Sequence, residues 1–144
     1  MRAKEYLMQL KQLDDRIDQD YRALDELRQL AFSIGSVDYS RQRVRTSLPS
    51  SSPFEDAAAK LCAASCALDK EIDEYVDLKR LITRQIRHLE NEISAGVLYR
   101  RYVEYKPLEV IADEMGYSYS HLRHLHGRAL EEFERRYLQE GEDR

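Results

Sequence analysis

Apolar residues recur in a seven-residue pattern along the first part of the chain. Between residues 3 and 34 the spacing alternates between three and four, and no Pro or Gly interrupts it. This spacing is typical of a coiled-coil seam and predicts one helix over about 3–34. Asp20 breaks the seam, and Gly35 follows at a position where glycine often ends a helix. The seam residues of this segment are Leu10, Leu13, Ile17, Leu24 and Leu27.

A second segment of the same kind begins with a clear helix-start signal. Ser52, Pro53 and Glu55 combine a capping serine, a first-turn proline and a glutamate three residues after the serine. The apolar pattern that follows predicts a helix over about 53–93. The seam residues of this segment include Leu61, Leu68, Ile72, Ile82, Ile86 and Leu89.

Two such segments joined by one connection predict an all-α fold that begins with a long antiparallel helical hairpin. If Ile34 lies near Phe54, Tyr6 falls opposite Ile82. A hairpin of two helices leaves much of each apolar face uncovered. We therefore expect residues 1–93 to form a homo-oligomer, most simply a dimer that builds a four-helix bundle.

The connection between the two helices, residues 35–52, follows no helical period and is locally basic. It carries Arg41, Arg43 and Arg45 against a single acid, Asp38. Connections of this length are uncommon in compact domains unless they are mobile or functional. Two interpretations stay open: a solvated linker, or a secondary contact to phosphate or to a partner.

The last third of the chain changes pattern and predicts a small three-helix domain. Its helices are expected at about 95–104, 107–115 and 119–138. Pro107 is a favoured first-turn residue, and Ser118 is a good helix cap. The predicted domain covers residues 94–138, and residues 139–144 are predicted to form an acidic tail.

Residues 107–125 have the spacing of a helix-turn-helix. Ala112 is small where the second helix must cross closely, and Gly116 lies four residues later, where the turn can need a positive φ angle. An ordinary helical hairpin with a glycine turn is the alternative. The predicted core residues of the motif are Ile111, Ala112, Met115, Gly116, Leu122, Leu125 and Ala129.

Residues 97–130 resemble the C-terminal domain, region 4, of bacterial sigma factors. The matching pieces are LYRRY at 98–102, IADEMGYS at 111–118 and HGRAL at 126–130. With the coiled coil before it, the chain is similar to small phage or prophage regulators that carry such a domain. The resemblance implies binding to double-stranded DNA and transcriptional control, without the sigma domain that melts promoters. Contact with host RNA polymerase is an expectation that rests on the resemblance alone.

The residues themselves also favour DNA contact. Residues 117–130 contain Arg and His but no Asp or Glu, in a chain that holds 27 acidic residues. Arginine at the start of a recognition helix can bind guanine through two hydrogen bonds. The residues predicted to contact bases are Ser120, His121, Arg123 and His124. Those predicted to contact phosphate are Arg100, Arg101, Lys106, Tyr119 and Arg128.

Composition excludes several classes of protein. The 144 residues include five Gly and three Pro, too few for a turn-rich all-β protein, and no apolar run approaches the roughly 20 residues of a membrane helix. Cys62 and Cys66 do not make a disulfide framework, so we expect a reduced cytoplasmic setting in the bacterial host. The net charge of −4 lowers the expected non-specific affinity for DNA.

Other functions are less well supported by the sequence. His121, His124 and His126 lack the further ligands of a metal site, so no metal and no cofactor are predicted. No phosphate loop or nucleophile elbow is present, so the chain is not expected to be an enzyme. Two alternatives to a regulator stay open: a DNA-packaging component that resembles a small terminase subunit, and a structural or protein-binding coiled coil that does not bind DNA.

Overall fold

The computed structural model describes residues 1–35 and 53–139. Its helices are α1 (Ala3–Gly35), α2 (Pro53–Arg87), α3 (Glu92–Leu98), which continues as a π-helical turn (Tyr99–Val103), α4 (Leu108–Met115) and α5 (Tyr119–Tyr137). The described residues contain no strand, and the all-α prediction is confirmed. The predicted basic connection beyond Gly35 and the acidic tail beyond Gln139 lie outside the described residues.

The second helix ends earlier than the apolar pattern predicts, because an asparagine starts a new helix. α2 stops at Arg87 instead of continuing to residue 93. Asn91 has extended backbone angles, and its side-chain oxygen accepts hydrogen bonds from the N–H groups of Ile93 (2.9 Å) and Ser94 (3.4 Å). This cap satisfies donors at the start of α3 and makes a break in the helix favourable.

The chain forms two compact units whose boundary differs from the predicted division at residue 93. One unit combines Met1–Asp15 with Glu74–Arg144, and the other is Arg16–Asp73. The first and last parts of the hairpin therefore belong to the same unit as the three C-terminal helices. The reason is a shared core, in which Leu7, Ile86 and Phe133 are fully buried.

Polar contacts join α1, α2 and α5 near the end of α2. The Tyr6 hydroxyl donates to the Gln85 side-chain oxygen (3.0 Å), and the Tyr137 hydroxyl donates to the Gln85 carbonyl (3.0 Å). The N–H of Ala3 donates to the Glu134 carboxylate (3.0 Å). The start of α1 thus lies beside the end of α2, as an antiparallel hairpin requires. Tyr6 contacts a residue one turn beyond its predicted neighbour Ile82, and both lie in or against the same core.

Among its described residues, the second unit, Arg16–Asp73, buries few apolar side chains. Leu24 and Leu68 are buried, whereas Phe32 is 78% exposed and Leu30 is 58% exposed. Phe54 and Ile72 on α2 are also exposed, so both helices of this unit carry exposed apolar side chains.

The predicted seam residues differ in their burial. Leu10, Leu24, Leu68, Ile82, Ile86 and Leu89 are buried, and Leu13, Ile17, Leu27 and Leu61 are half-buried. Ile72 is 39% exposed in the single chain, so its predicted place in the seam would require a second copy to cover it. The inner side of α2 runs instead through Leu68, Tyr75, Leu78 and Ile82. An apolar heptad defines a broad face, and the position of the neighbouring helices selects which of its residues are buried.

Candidate nucleic-acid interface

The connection between α4 and α5 has the local geometry of a tight helix-turn-helix. Gly116 ends α4 in the left-handed region, at φ 73°. The N–H groups of Gly116 and Tyr117 donate to the carbonyls of Asp113 (3.4 Å) and Ala112 (2.9 Å). Ser118 then caps α5, because its hydroxyl accepts the N–H of His121 (3.2 Å). The chain therefore turns in three residues between the two helices.

A small apolar cluster fixes α3, α4 and α5 against one another. Its buried residues are Val97, Ile111, Ala112 and Leu122, with Leu108, Met115 and Tyr117 packed against it. Ala129 is buried in the larger core with Phe133, and Leu125 is half-buried. Of the predicted core residues, the structure thus brings Ile111, Ala112 and Leu122 together, with Met115 at the edge of their cluster.

The first two turns of α5 present the predicted base-contacting side chains to solvent. Ser120, His121, Arg123 and His124 are all exposed. Ser120, Arg123 and His124 line a shallow depression of about 290 Å³. Because Leu122 anchors the opposite side of the helix, these polar side chains project away from the protein.

Aromatic rings support this exposed surface. The Arg123 guanidinium lies 5.8 Å from the centre of the Tyr119 ring, and the Tyr117 ring meets the His121 ring edge-on at 5.1 Å. A cation over an aromatic face gains roughly 0.5–1 kcal/mol at an exposed site. Tyr119, predicted to contact phosphate, thus also holds Arg123 at the start of the helix.

Three residues predicted to contact phosphate have partners within the protein. The Glu114 carboxylate contacts Arg100 Nε (3.3 Å) and Lys106 Nζ (2.8 Å), and Lys106 also contacts Glu104 (2.8 Å). Arg101 donates to the Lys106 carbonyl (3.1 Å). A phosphate group at this place must compete with Glu114, or join a network that already balances its charges.

The same network shifts the titration of its members. Hydrogen bonds to Glu104 and then Glu114 raise the pKa of Lys106 above its ordinary value. The hydrogen bond from Lys106 lowers the pKa of Glu114, and the charge of Arg100 lowers it further. Arg128 differs from these residues, since it is exposed and forms no ion pair within the described part of the chain.

His126 lies on the inner side of α5, unlike His121 and His124. Its Nε2 atom is 2.9 Å from the Tyr102 hydroxyl, and the two rings stack at 5.8 Å. Burial lowers the pKa of His126 to about 4, with further contributions from the charges of Arg101 and Lys4. His126 is therefore neutral near pH 7 and adds no charge to the exposed surface.

Tyr105, which the sequence pattern does not single out, fastens the segment before α4. It has a positive φ angle of 59°, uncommon for a residue with a side chain. Its hydroxyl is 3.1 Å from that of Tyr75, and Lys11 Nζ lies 5.3 Å from the centre of its ring. Burial, followed by the hydrogen bond to Tyr75, raises the pKa of Tyr105. These contacts hold the segment before α4 against α1 and α2, and so help to fix where α4 begins.

Among the described residues, no group of three or more His, Cys, Asp or Glu side chains is placed to hold a metal ion. Cys62 and Cys66 are free and exposed. None of the described helices combines the length and apolar character that a membrane span requires. Comparisons of the chain with known protein families, curated proteins and solved structures return no match.

Proposed function

We propose that the protein is a sequence-specific DNA-binding transcriptional regulator of phage type. The observation that carries the proposal is the exposed start of α5, where Ser120, His121, Arg123 and His124 project from a helix anchored by Leu122. A helix-turn-helix protein places such a helix in the major groove and reads base edges with its N-terminal residues.

The charges of α5 support this orientation. Arg123 forms no ion pair within the described residues, and no acid occurs between residues 117 and 130. The start of α5 itself therefore carries no carboxylate that would oppose contact with phosphate or base edges. A guanidinium that forms two hydrogen bonds to guanine contributes about 1–3 kcal/mol of discrimination.

Self-association through the hairpin is part of the proposal. The exposed Phe32, Leu30 and Ile72 side chains lie on its long helices, and a second copy would remove them from water. Two helix-turn-helix modules in one dimer would read half-sites about 34–36 Å apart, or a multiple of that distance. Two linked modules would bind DNA more tightly than one, which would offset the weak DNA affinity expected of a chain with a net negative charge.

DNA selection from a random or phage-genome pool tests the proposal. We expect the wild type to enrich one motif, and Arg123→Ala or His124→Ala to lose preference at one or two positions of it. Arg80→Ala, at an exposed arginine on α2, is the matched control and should enrich the wild-type motif. Equal enrichment of one motif by all four proteins would refute the assigned contacts, and enrichment of none would favour a coiled coil without DNA binding.

A further inference from the structure

A polar cleft lies between the start of α3 and the second half of α5. Its volume is about 430 Å³. The lining residues are Asn91, Ser94, Arg128, Glu131, Glu132, Arg135 and Gln139. Apart from Arg128, none of them has a role in the proposed base or phosphate contacts.

Ser94 is the feature that indicates a ligand. Its side chain is only 5% exposed, and it is the buried polar residue of the described core. Its N–H donates to Asn91, and its hydroxyl makes no hydrogen bond to another described residue. The hydroxyl oxygen is not among the fully enclosed atoms without a partner, so the small part of Ser94 that stays accessible can include it. Because Ser94 lines the cleft, a ligand there can reach this hydroxyl.

Several further donors border the same space. The Asn91 side-chain oxygen caps α3, so the amide nitrogen of Asn91 remains available to the cleft. Arg128 and Arg135 are two turns apart on α5, so they share a side of the helix. Both arginines are exposed, and neither forms an ion pair within the described residues.

The two carboxylates of the cleft are not equivalent. One oxygen of Glu132 accepts hydrogen bonds from the N–H groups of Glu90 (3.1 Å) and Asn91 (3.3 Å), so backbone donors offset part of its negative charge. Glu131 is exposed and forms no ion pair among the described residues. The cleft thus holds two guanidinium groups and two carboxylates, one of which backbone donors partly offset. The Ser94 hydroxyl and the Asn91 amide add neutral donors, and this excess of donors favours an acceptor-rich anion.

We propose that this cleft binds one phosphate group, held by Arg128 and Arg135 with the Ser94 hydroxyl as an additional donor. Guanidinium groups bind phosphate oxygens through short, charge-assisted hydrogen bonds. The phosphate comes either from a DNA backbone or from a small phosphorylated compound. The first source rests on the proposed function, and the second does not.

Titration of the whole protein with inorganic phosphate, followed by amide and guanidinium NMR signals, tests the cleft itself. We expect saturable shifts at Asn91 and Ser94. Arg128→Ala should weaken binding about tenfold, the equivalent of one charge-assisted hydrogen bond. Ser94→Ala removes only the hydroxyl and should weaken it about threefold. Glu131→Gln should strengthen binding, and Arg80→Ala should leave it unchanged.

Duplex DNA binding by the same variants identifies the source of the phosphate. If the phosphate belongs to the DNA backbone, Arg128→Ala and Ser94→Ala each weaken DNA binding to the same degree for every DNA sequence. Arg128→Ala also lowers the slope of log affinity against log salt concentration by about one. If the phosphate belongs to a free compound, both variants bind DNA like the wild type but bind inorganic phosphate more weakly by the factors given above. Two phosphate results overturn the proposal when neither variant changes DNA affinity. In the first, phosphate shifts no cleft signal. In the second, phosphate shifts the cleft signals equally in all variants. Failure of the wild type to bind DNA would leave the phosphate titration decisive for the cleft.

Discussion

At the scale of single residues, burial separates three histidines that the sequence presents as one cluster. His121 and His124 are exposed at the start of α5, whereas His126 is half-buried against Tyr102. The helical turn places residue 126 on the side opposite residue 124, toward the core. The same side-chain chemistry therefore serves the proposed DNA surface at two positions and internal packing at the third.

The buried position of His126 makes stability depend on pH. Its pKa is about 4 in the fold against an ordinary value of 6.5, so stability is complete above pH 6.5 and is lost as the pH falls through about 4. Solvent screening at this half-buried position limits the loss to about 1–2 kcal/mol. Denaturant unfolding at pH 7 and pH 4 should show a smaller loss for His126→Gln than for wild type. His124→Gln should keep the wild-type loss; equal losses in all three proteins would contradict the assignment.

Two glycines of the C-terminal helices should respond to alanine with opposite signs. Gly116 has φ 73°, so Gly116→Ala should destabilise the fold by about 1–2 kcal/mol through backbone strain, although no atom lies within 4 Å of the added methyl group. Gly127 lies within α5, also with open space around it, so Gly127→Ala should stabilise by about 0.5–1 kcal/mol. Chemical denaturation measures both. A stabilising Gly116→Ala would show that the turn does not need the left-handed conformation.

At the scale of elements, local signals account for most helix limits. Ser118 and Gly116 mark the start of α5 and the end of α4 in the sequence, because a cap and a left-handed turn depend on neighbouring residues only. The end of α2 is not predictable from apolar spacing, since the heptad continues through the break that Asn91 makes. The Tyr75–Tyr105 contact and the Ser94 cleft join segments distant in sequence, and no local pattern reveals them.

The choice of the buried side of α2 can be tested with two isoleucines. Ile82 is fully buried and Ile72 is 39% exposed. Ile82→Ala should therefore cost about 2–5 kcal/mol of unfolding free energy, and Ile72→Ala less than about 1 kcal/mol. Unfolding should be measured at low protein concentration, where association between copies does not contribute to the difference between the two variants. A large cost at Ile72 that grows with protein concentration would place this residue in the contact between copies. A large cost independent of concentration would contradict the observed exposure of Ile72.

At the scale of the whole molecule, one compact unit combines the ends of the hairpin with the helix-turn-helix. The core formed by Leu7, Ile86 and Phe133 holds α1, α2 and α5 together, so the helix that carries the proposed DNA surface is packed against both helices of the hairpin. Arg16–Asp73 forms the other unit and carries much of the exposed apolar surface. Under the proposed function, groove contact would belong to the first unit and association between copies to the second.

The most direct test of DNA recognition is a titration of isotope-labelled protein with its selected duplex, read residue by residue. We expect the largest signal changes at Ser120, His121, Arg123 and His124, and we expect these changes to become smaller as the salt concentration rises. His126 and the far end of α2 should change little. Binding that leaves the start of α5 unperturbed, or changes concentrated on the hairpin instead, would contradict the account.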